Sequence, residues 1–422
     1  MSTPAGHATR ERWLAWLTVE PGEFARLAVS FLCFFLLLTA YYMVRPVRDA
    51  LAAGLPKGEI QRLALIVFVV MLAVVPLFGA LVSRVRRNWL VPVVYGFFIS
   101  NLLAFAWVFH QDETMLWSGR VFYLWITVFN LFVVSVFWSF MADTWTRDQA
   151  GRLFGVIASA GSLGGLLGPM LTQGLVESIG LSGVTLIAAG LLTGVLGCIL
   201  WLAKAAGHGA AEREPALGGG FLAGVTLLLR TPFLLGIAGL VLLSSAAGMI
   251  AYNEIARLVK ETYATPEART VFYSSWDLWV NVTALCLGFL FGRFSRAFGV
   301  GGTLVLTSLL GVVSFVAVAV APTLGTLGLT NCARRAVEFG IAKPARDALY
   351  SVTDAESRYK AKNAIDTAVY RGGDVLGSQL HGALSAAGLG LSALAGVAGT
   401  VAMGMVVVAW ATGRGYASRV AR

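Results

Sequence analysis

Arg45-Pro46-Val47-Arg48-Asp49-Ala50-Leu51 closes the first long apolar run of the chain. Lys343-Pro344-Ala345-Arg346-Asp347-Ala348-Leu349 repeats it, nearly unchanged, at the end of a later run. Placing an ion in hydrocarbon is costly, so charge at that depth belongs to a protein interior or a wet cavity and marks a pathway. Two copies far apart in one chain predict a polar cavity shared by two related halves.

The sequence around the heptapeptides is 57% hydrophobic and 13% charged over 422 residues, with a mean hydropathy of +0.76. A soluble domain does not have this composition; it predicts an all-α integral membrane protein. The 48 glycines fit close helix packing in lipid. Cys33, Cys198, Cys286 and Cys332 lie in apolar runs and are expected as free thiols, with no metal site. The run that starts near Phe24 outlasts a signal peptide and reads as a first spanning helix. The net charge of +10 sits in short loops between spans, so membrane topology accounts for it and nucleic acid is not an expected partner. No catalytic motif or cofactor-binding motif is present, and an enzyme is not expected.

Taking about 20 apolar residues per span, the chain holds 12 spanning helices, near 24–47, 60–83, 89–109, 119–143, 153–176, 183–203, 233–257, 270–292, 301–320, 324–350, 363–386 and 390–412. Residues 1–23 form an N-terminal segment and 413–422 a tail. The polar stretch 204–230, with Glu212-Arg213-Glu214-Pro215 and Gly218-Gly219-Gly220, links two six-helix bundles, 24–203 and 231–412. An internal repeat supports the division. Gly79-Ala80-Leu81-Val82-Ser83-Arg84-Val85-Arg86-Arg87 after span 2 corresponds to Gly288-Phe289-Leu290-Phe291-Gly292-Arg293-Phe294-Ser295-Arg296 after span 8. With the N-terminus inside, 19 lysines and arginines fall on the cytoplasmic side against 5 opposite, which places both termini in the cytoplasm of a cytoplasmic-membrane protein.

The charges within spans are the candidates for function. They are Arg45, Arg48, Arg257, Arg334, Arg335, Lys343, Arg346 and Arg371, with Asp49, Asp143, Glu254, Asp277, Glu338, Asp347, Asp366 and Asp374. They cluster on spans 1, 4, 7 and 10, the first helices of four three-helix repeats, with others on spans 8 and 11. Spacings of three or four predict the pairs Arg45–Asp49, Glu254–Arg257, Lys343–Asp347, Arg371–Asp374, Asp143–Arg147 and Lys362–Asp366, with Glu338 shared by Arg334 and Arg335. Arg48, Arg346 and Asp277 are left without an intrahelical partner on this count. Mutual neutralisation accounts for many of these ions; the two unpaired arginines, equivalent in the repeat, are the candidates for gripping an anion. Arg335, eleven residues before Arg346, is expected on the same face about 16 Å away, and Pro344 is expected to disturb the helix between. Arginine keeps its proton and offers a planar fork to carboxylate or phosphate. Arg45, Lys343 and Arg371 extend the cationic set. Tyr42 and Trp138, with Tyr41, Phe137, Trp276 and Trp279, either stack on a planar ligand or pack. Asp277, Glu254 and Asp374 are candidate proton carriers, with Asp49, Asp347 and Glu338 as partners in coupling or gating. Gly161-Ser162-Leu163-Gly164-Gly165-Leu166-Leu167-Gly168-Pro169 reads as a packing seam or a gating contact. The histidines read as incidental, with only His381 inside a span.

Several stretches together carry a family resemblance: Tyr41-Tyr42-Met43-Val44-Arg45-Pro46-Val47-Arg48-Asp49, residues 130–143 with Phe137-Trp138, Trp276-Asp277-Leu278-Trp279-Val280-Asn281, Lys343-Pro344-Ala345-Arg346-Asp347, and Tyr359-Lys360 through Asp374. They resemble the bacterial branch of the ATP:ADP antiporter family, and the basic stretches after spans 2 and 8 resemble the corresponding loops of the major facilitator superfamily. The resemblance implies a major-facilitator-like fold and transport of phosphorylated anions. It places Arg48-Asp49 where nucleotide exchangers carry a Lys-Asp pair on the first helix, which implies a phosphate contact for Arg48. The acid those exchangers carry before the Phe-Trp of span 4 has no counterpart here, where Thr127 and Asn130 supply the polarity. Gly373-Asp374 stands where they have Gly-Lys, with Arg371 nearby.

The leading expectation is a secondary active transporter of an organic, phosphorylated, nucleotide-like anion, working by alternating access and driven by exchange or an ion gradient, since no G-x-x-x-x-G-K-[ST] motif is present. Its partners are the small-molecule anion, a proton or counter-anion, and the bilayer. A proton-coupled exporter of a metabolite or drug-like compound is the alternative. A receptor or scaffold lacks a partner-binding domain, and a lipid flippase requires a charged lateral slot.

Overall fold

In hydrocarbon each backbone N–H and C=O must pair within its own segment, which makes helices of the apolar runs. The computed structural model describes residues 19–20, 22–84, 87–112, 115–205, 221–354 and 361–420, with the side chains of 78–90 and 221–225 outside the description. Most of the expected N-terminal segment and of the linker therefore lies outside the described residues, as do Val85-Arg86 of the first basic repeat and Tyr359-Lys360. At the end of the linker, Phe221–Arg230 is a short helix.

The spanning helices are α1 Phe24–Gly54, α2 Glu59–Arg84, α3 Arg87–Gln111 and α4 Leu116–Thr144. The run Arg147–Ala205 is broken at Gly180, giving α5 (147–179) and α6 (181–205). After α7, Pro232–Thr262, the run Pro266–Val320 is broken at Gly299 into α8 (266–298) and α9 (300–320). Gly180 and Gly299 have φ of 66° and 67°, left-handed values that a side chain would strain, so glycine sets both breaks. α10 runs from Leu324 to Leu349 and contains a π turn at Glu338–Ala342. α11 runs from 361 to Ala386 with a second π turn at Ile365–Val369, and α12 is Leu391–Val420. Eight helices are long and apolar enough to cross a membrane. The glycine breaks divide two of them, and the charged, π-interrupted α10 and α11 bring the spans among the described residues to the expected twelve.

Local sequence fixes where these helices begin. Thr231-Pro232 and Thr265-Pro266 place a capping residue before a proline whose missing N–H is no loss in a first turn. Thr265 Oγ1 accepts from the Ala268 N–H at 3.2 Å and Thr323 Oγ1 from that of Thr326 at 3.1 Å. Pro344 lies one residue beyond the first π turn, after Lys343. It can neither donate to the carbonyl of Gly340 nor approach it closely, and the widened turn relieves both problems. The expected disturbance of this helix is present.

The described residues fall into two compact units. One is drawn from Met1–Val47, Phe78–Ser118 and Trp125–Pro215; the other from Arg48–Leu77, Gly119–Leu124 and Ala216–Arg422. In the first unit α5 packs against α1 along the glycine run. A Cβ on Gly164 would lie 2.7 Å from the Phe35 carbonyl oxygen, and one on Gly168 2.8 Å from that of Thr39. Thr172 Oγ1 donates to the Met43 carbonyl at 3.0 Å along the same line. The second unit repeats the device. A Cβ on Gly373 of α11 would lie 2.6 Å from the Leu242 carbonyl oxygen of α7, Gly377 abuts the Ala246 backbone, and Ser245 Oγ lies 2.9 Å from the Tyr370 carbonyl oxygen. The seam reading of the first glycine run thus has a counterpart six helices later, as two related halves require.

Candidate functional site

The intramembrane charges of the second unit form a connected chain. At the end of α1, Arg48 donates through Nε and Nη2 to Asp49 Oδ1, at 2.9 and 2.7 Å. Tyr252 of α7 donates its hydroxyl to the same oxygen at 2.8 Å, and the Arg48 guanidinium lies 5.6 Å from the Tyr123 ring. Tyr273 is buried within electrostatic reach of both Arg48 and Asp49. Asp374 of α11 feels the Arg48 charge; it is held by Arg371 at 3.1 Å and by Ser245 Oγ at 2.5 Å. Tyr370 lies within electrostatic reach of Asp374 and Arg371 on one side and of Arg335 and Glu338 on the other.

The chain continues on α10. Arg346 donates to Glu338 Oε1 at 2.5 Å, and Ser244 Oγ donates to Glu338 Oε2 at 3.2 Å. Arg335 faces Asp277 of α8 at 3.9 Å, with its guanidinium 5.1 Å from the Trp276 ring and 5.8 Å from that of Phe339. Arg334 donates to Asn331 Oδ1 at 2.8 Å and lines, with Glu338 and Ser244, a small cavity between α7, α9, α10 and α12. Beyond Arg346, Lys362 binds Asp347 at 2.7 Å, with Asp366 and Lys343 close enough to interact.

Several expected pairings are corrected here. Arg48 and Arg346 do have partners on their own helices, Asp49 next in sequence and Glu338 eight positions back. Asp277, too, has a cationic neighbour, on another helix. Glu338 is hydrogen-bonded to Arg346; Arg334 lies within its electrostatic reach but bonds Asn331, and Arg335 faces Asp277. Asp347 pairs with Lys362 in place of Lys343, while Asp366 stays within electrostatic reach of Lys362 without an ion-pair contact. Arg335 and Arg346 do not share a face three turns apart, because the π turn between them shifts the register. The expected pairs Glu254–Arg257, at 2.8 Å, and Arg371–Asp374 are present.

In the first unit Arg45 lies 5.6 Å from the Tyr42 ring. Phe137 stacks on Phe34 at 4.6 Å, and Trp138 meets Phe34 and Phe154 edge-on at 5.2 Å and tilted at 5.4 Å. These aromatics pack on one another, and Trp279 is largely exposed. Periodicity gave no signal for Tyr123, Tyr252, Tyr273, Ser244 or Ser245, neutral side chains brought to the charges by other helices. His381, read as incidental, is buried and bonded to Glu254 at 2.7 Å.

Five arginines (Arg48, Arg334, Arg335, Arg346 and Arg371) thus face four carboxylates (Asp49, Asp277, Glu338 and Asp374) in one helical unit. Arg48, Arg335 and Arg346 retain 18%, 18% and 14% of their side-chain surface. A buried ion pair is strongly destabilised when one partner is removed, so each carboxylate and the arginine bonded to it hold one another in place.

Residues 10–337 match the family model of the Major Facilitator Superfamily. A POT family transporter in complex with 5-aminolevulinic acid has a similar structure, with a TM-score of 0.66 at 13% identity over 92% of this chain and 96% of that one. The nucleoside transporter NupG is similar with a TM-score of 0.57 at 14% identity over 92% and 98%. A bacterial homolog to the human lysosomal transporter Spinster, inward-facing and unoccupied, gives 0.57 at 13% over 94% and 96%. No curated protein matches the sequence. Identities this low speak for the fold and not for the cargo. The long apolar helices among the described residues, the matching fold and a family model that covers well over half of the sequence together place the chain in the Major Facilitator Superfamily of membrane transporters.

Proposed function

We propose that the protein is a secondary carrier of an organic, phosphorylated, nucleotide-like anion across the cytoplasmic membrane, with both termini inside, working by alternating access of two six-helix bundles. The observation that carries this reading is the arginine chain of the second unit. Arg48, Arg335 and Arg346 are partly accessible, and Arg48 and Arg346 are bonded to carboxylates that an incoming anion can replace. Phosphate presents oxygens that match the guanidinium fork as a carboxylate does and carries more charge. The motifs at Arg48-Asp49 and 359–374 that resemble the ATP:ADP antiporter family support the same cargo class. Arg371 and Lys343 extend the cationic surface of this unit. Asp49, Glu338 and Asp374 act as the carboxylates that hold the site when cargo is absent, with Asp277, Glu254 and Asp347 in coupling or gating.

The test is a thermal-shift screen of the purified protein against nucleotides, sugar phosphates and carboxylates, followed by flux into liposomes. Phosphorylated compounds are expected to stabilise the protein and to be transported, and Arg48→Gln and Arg346→Gln to weaken the stabilisation and abolish transport while the protein stays monodisperse. Stabilisation by carboxylates alone, or unchanged flux in the two variants, overturns the reading. Flux directed outward and driven by a proton gradient identifies the exporter alternative.

A further inference from the structure

His381 lies outside the arginine chain, on α11, and is bonded on both ring nitrogens. We infer that His381 is a proton-binding site of this carrier, and that its protonation releases Gln61, and with it the start of α2, from α7 and α11.

The hydrogen-bond network dictates the protonation state. Asn253 of α7 donates through Nδ2 to the Met249 carbonyl at 2.8 Å and to Ser378 Oγ at 3.3 Å. Its Oδ1 is therefore an acceptor, and Gln61 Nε2 donates to it at 3.2 Å. The same Gln61 nitrogen lies 3.2 Å from His381 Nδ1. An amide nitrogen only donates, so Nδ1 accepts and carries no proton. The single ring hydrogen of neutral histidine then sits on Nε2 and is donated to Glu254 Oε1 at 2.7 Å. Arg257 takes the other Glu254 oxygen at 2.8 and 3.1 Å.

A second proton can enter the ring only at Nδ1, where it meets the amide hydrogens of Gln61. Turning the Gln61 amide over presents its oxygen to His381 but sets that oxygen against Asn253 Oδ1. Asn253 cannot follow, because turning its amide would set Oδ1 against the Met249 carbonyl oxygen, now 2.8 Å from Nδ2. Protonation therefore removes one bond of Gln61 in either orientation. Gln61 ties the start of α2 to α7 and α11, while Glu59 ties it separately to Arg120 at 2.8 Å. Gln379 of α11 donates to the Gln61 backbone carbonyl at 3.0 Å, and a Cβ on Gly382 would lie 3.0 Å from the Gln61 Cγ.

The charged groups facing His381 are few. α7 contributes Glu254 and, behind it, Arg257, which also binds Glu261 at 2.9 Å. α2 contributes the neutral Gln61; its neighbour Arg62 is exposed and paired with Glu59 at 3.2 Å. Among the described contacts, Gln61 alone confronts the incoming proton.

The inference rests on the transporter fold and not on the anionic cargo. It is tested without cargo, by hydrogen–deuterium exchange of the purified protein at about pH 8 and about pH 5.5, with intrinsic rates corrected, reading the segments 55–66 and 376–388. Wild type is expected to lose protection in both segments several-fold at the lower pH. His381→Gln is expected to remove that step. Equal protection of wild type at both values, or a step that survives in His381→Gln, overturns the inference. If His381→Gln does not purify folded, Gln61→Leu serves: it should show the low-pH protection at both values, and a remaining pH step there overturns the latch. Failure of this test leaves the anion reading standing, and failure of the anion screen leaves the latch standing.

Discussion

Arg346 and Glu338 are bonded at 2.5 Å although they are eight residues apart on one helix. In an unbroken α-helix, residues at that spacing are about 80° apart around the axis and about 12 Å apart along it. The π turn at Glu338–Ala342 absorbs close to one extra residue, so the two side chains lie two whole turns apart on one face. Ser244 Oγ, on the second Glu338 oxygen, completes the arrangement.

If Glu338 holds the place of cargo, the two single variants should differ in sign. Arg346→Gln removes charge-assisted hydrogen bonds and is expected to weaken anion binding by about 10- to 100-fold, the equivalent of about 1.5–3 kcal/mol. Glu338→Gln removes the competing carboxylate and is expected to tighten binding while slowing exchange. Titration calorimetry with any hit of the ligand screen, paired with counterflow rates, reads both. Weaker binding in both variants means that Glu338 only supports the fold.

The same π turns show what the sequence could and could not tell. Most of the spans were legible because length and apolarity mark them, the charged α10 and α11 being the exceptions, and Glu254–Arg257 and Arg371–Asp374 obey ordinary helical spacing. Pairs counted at 3.6 residues per turn failed where a helix leaves that period. Arg346 was left unpaired, and Asp347 and Lys362, expected to bind Lys343 and Asp366, found each other instead. Arg48–Asp49 was missed for a different reason. Sequence neighbours point about 100° apart, yet a long guanidinium curls back to the adjacent carboxylate. Tyr252, Ser244 and Gln61 come from other helices, and no local pattern announces a tertiary neighbour.

The paired glycine seams predict a sharp contrast between positions on α5. Gly164→Ala sets a methyl group against the α1 backbone, with the Phe35 carbonyl oxygen at 2.7 Å and the Thr39 nitrogen at 2.8 Å. Overpacking of this kind typically destabilises by about 1–3 kcal/mol. Gly174→Ala on the same helix meets nothing within 4 Å and should be neutral or slightly stabilising, since alanine favours the helix by about 1 kcal/mol over glycine. Thermal unfolding in detergent compares the two, and equal midpoints would remove the seam from the account of stability.

At the start of α1, burial alone would raise the Glu23 carboxyl. The Glu20 N–H at 2.9 Å, Arg152 at 3.2 Å and Gln149 at 2.7 Å outweigh it and hold the carboxyl below its usual value of 4.5. A carboxylate with a depressed folded-state pKa contributes stability above its unfolded value, and that contribution disappears as pH falls through the folded one. Wild type is therefore expected to exceed Glu23→Gln in stability at pH 7, and the two unfolding curves to converge in acid, below about pH 4. A difference that stays constant with pH assigns the effect to packing.

Pro344 connects the first heptapeptide comparison to the site. Its counterpart Pro46 sits inside α1 with no π turn recorded in that helix, so a proline does not by itself impose one; in α10 the widened turn coincides with a carboxylate and a guanidinium that need the shifted register. Pro344→Ala restores the N–H and removes the clash with Gly340, relieving a penalty of about 3 kcal/mol for proline in a helix interior. The turn is then free to rewind, which carries Arg346 through about 100° away from Glu338. A double-mutant cycle of Arg346→Gln and Glu338→Gln, read by thermal unfolding, should give a clear coupling energy in wild type and little in the Pro344→Ala background. Coupling that persists undiminished would mean that the π turn is held by its surroundings, with the proline an occupant and not the cause.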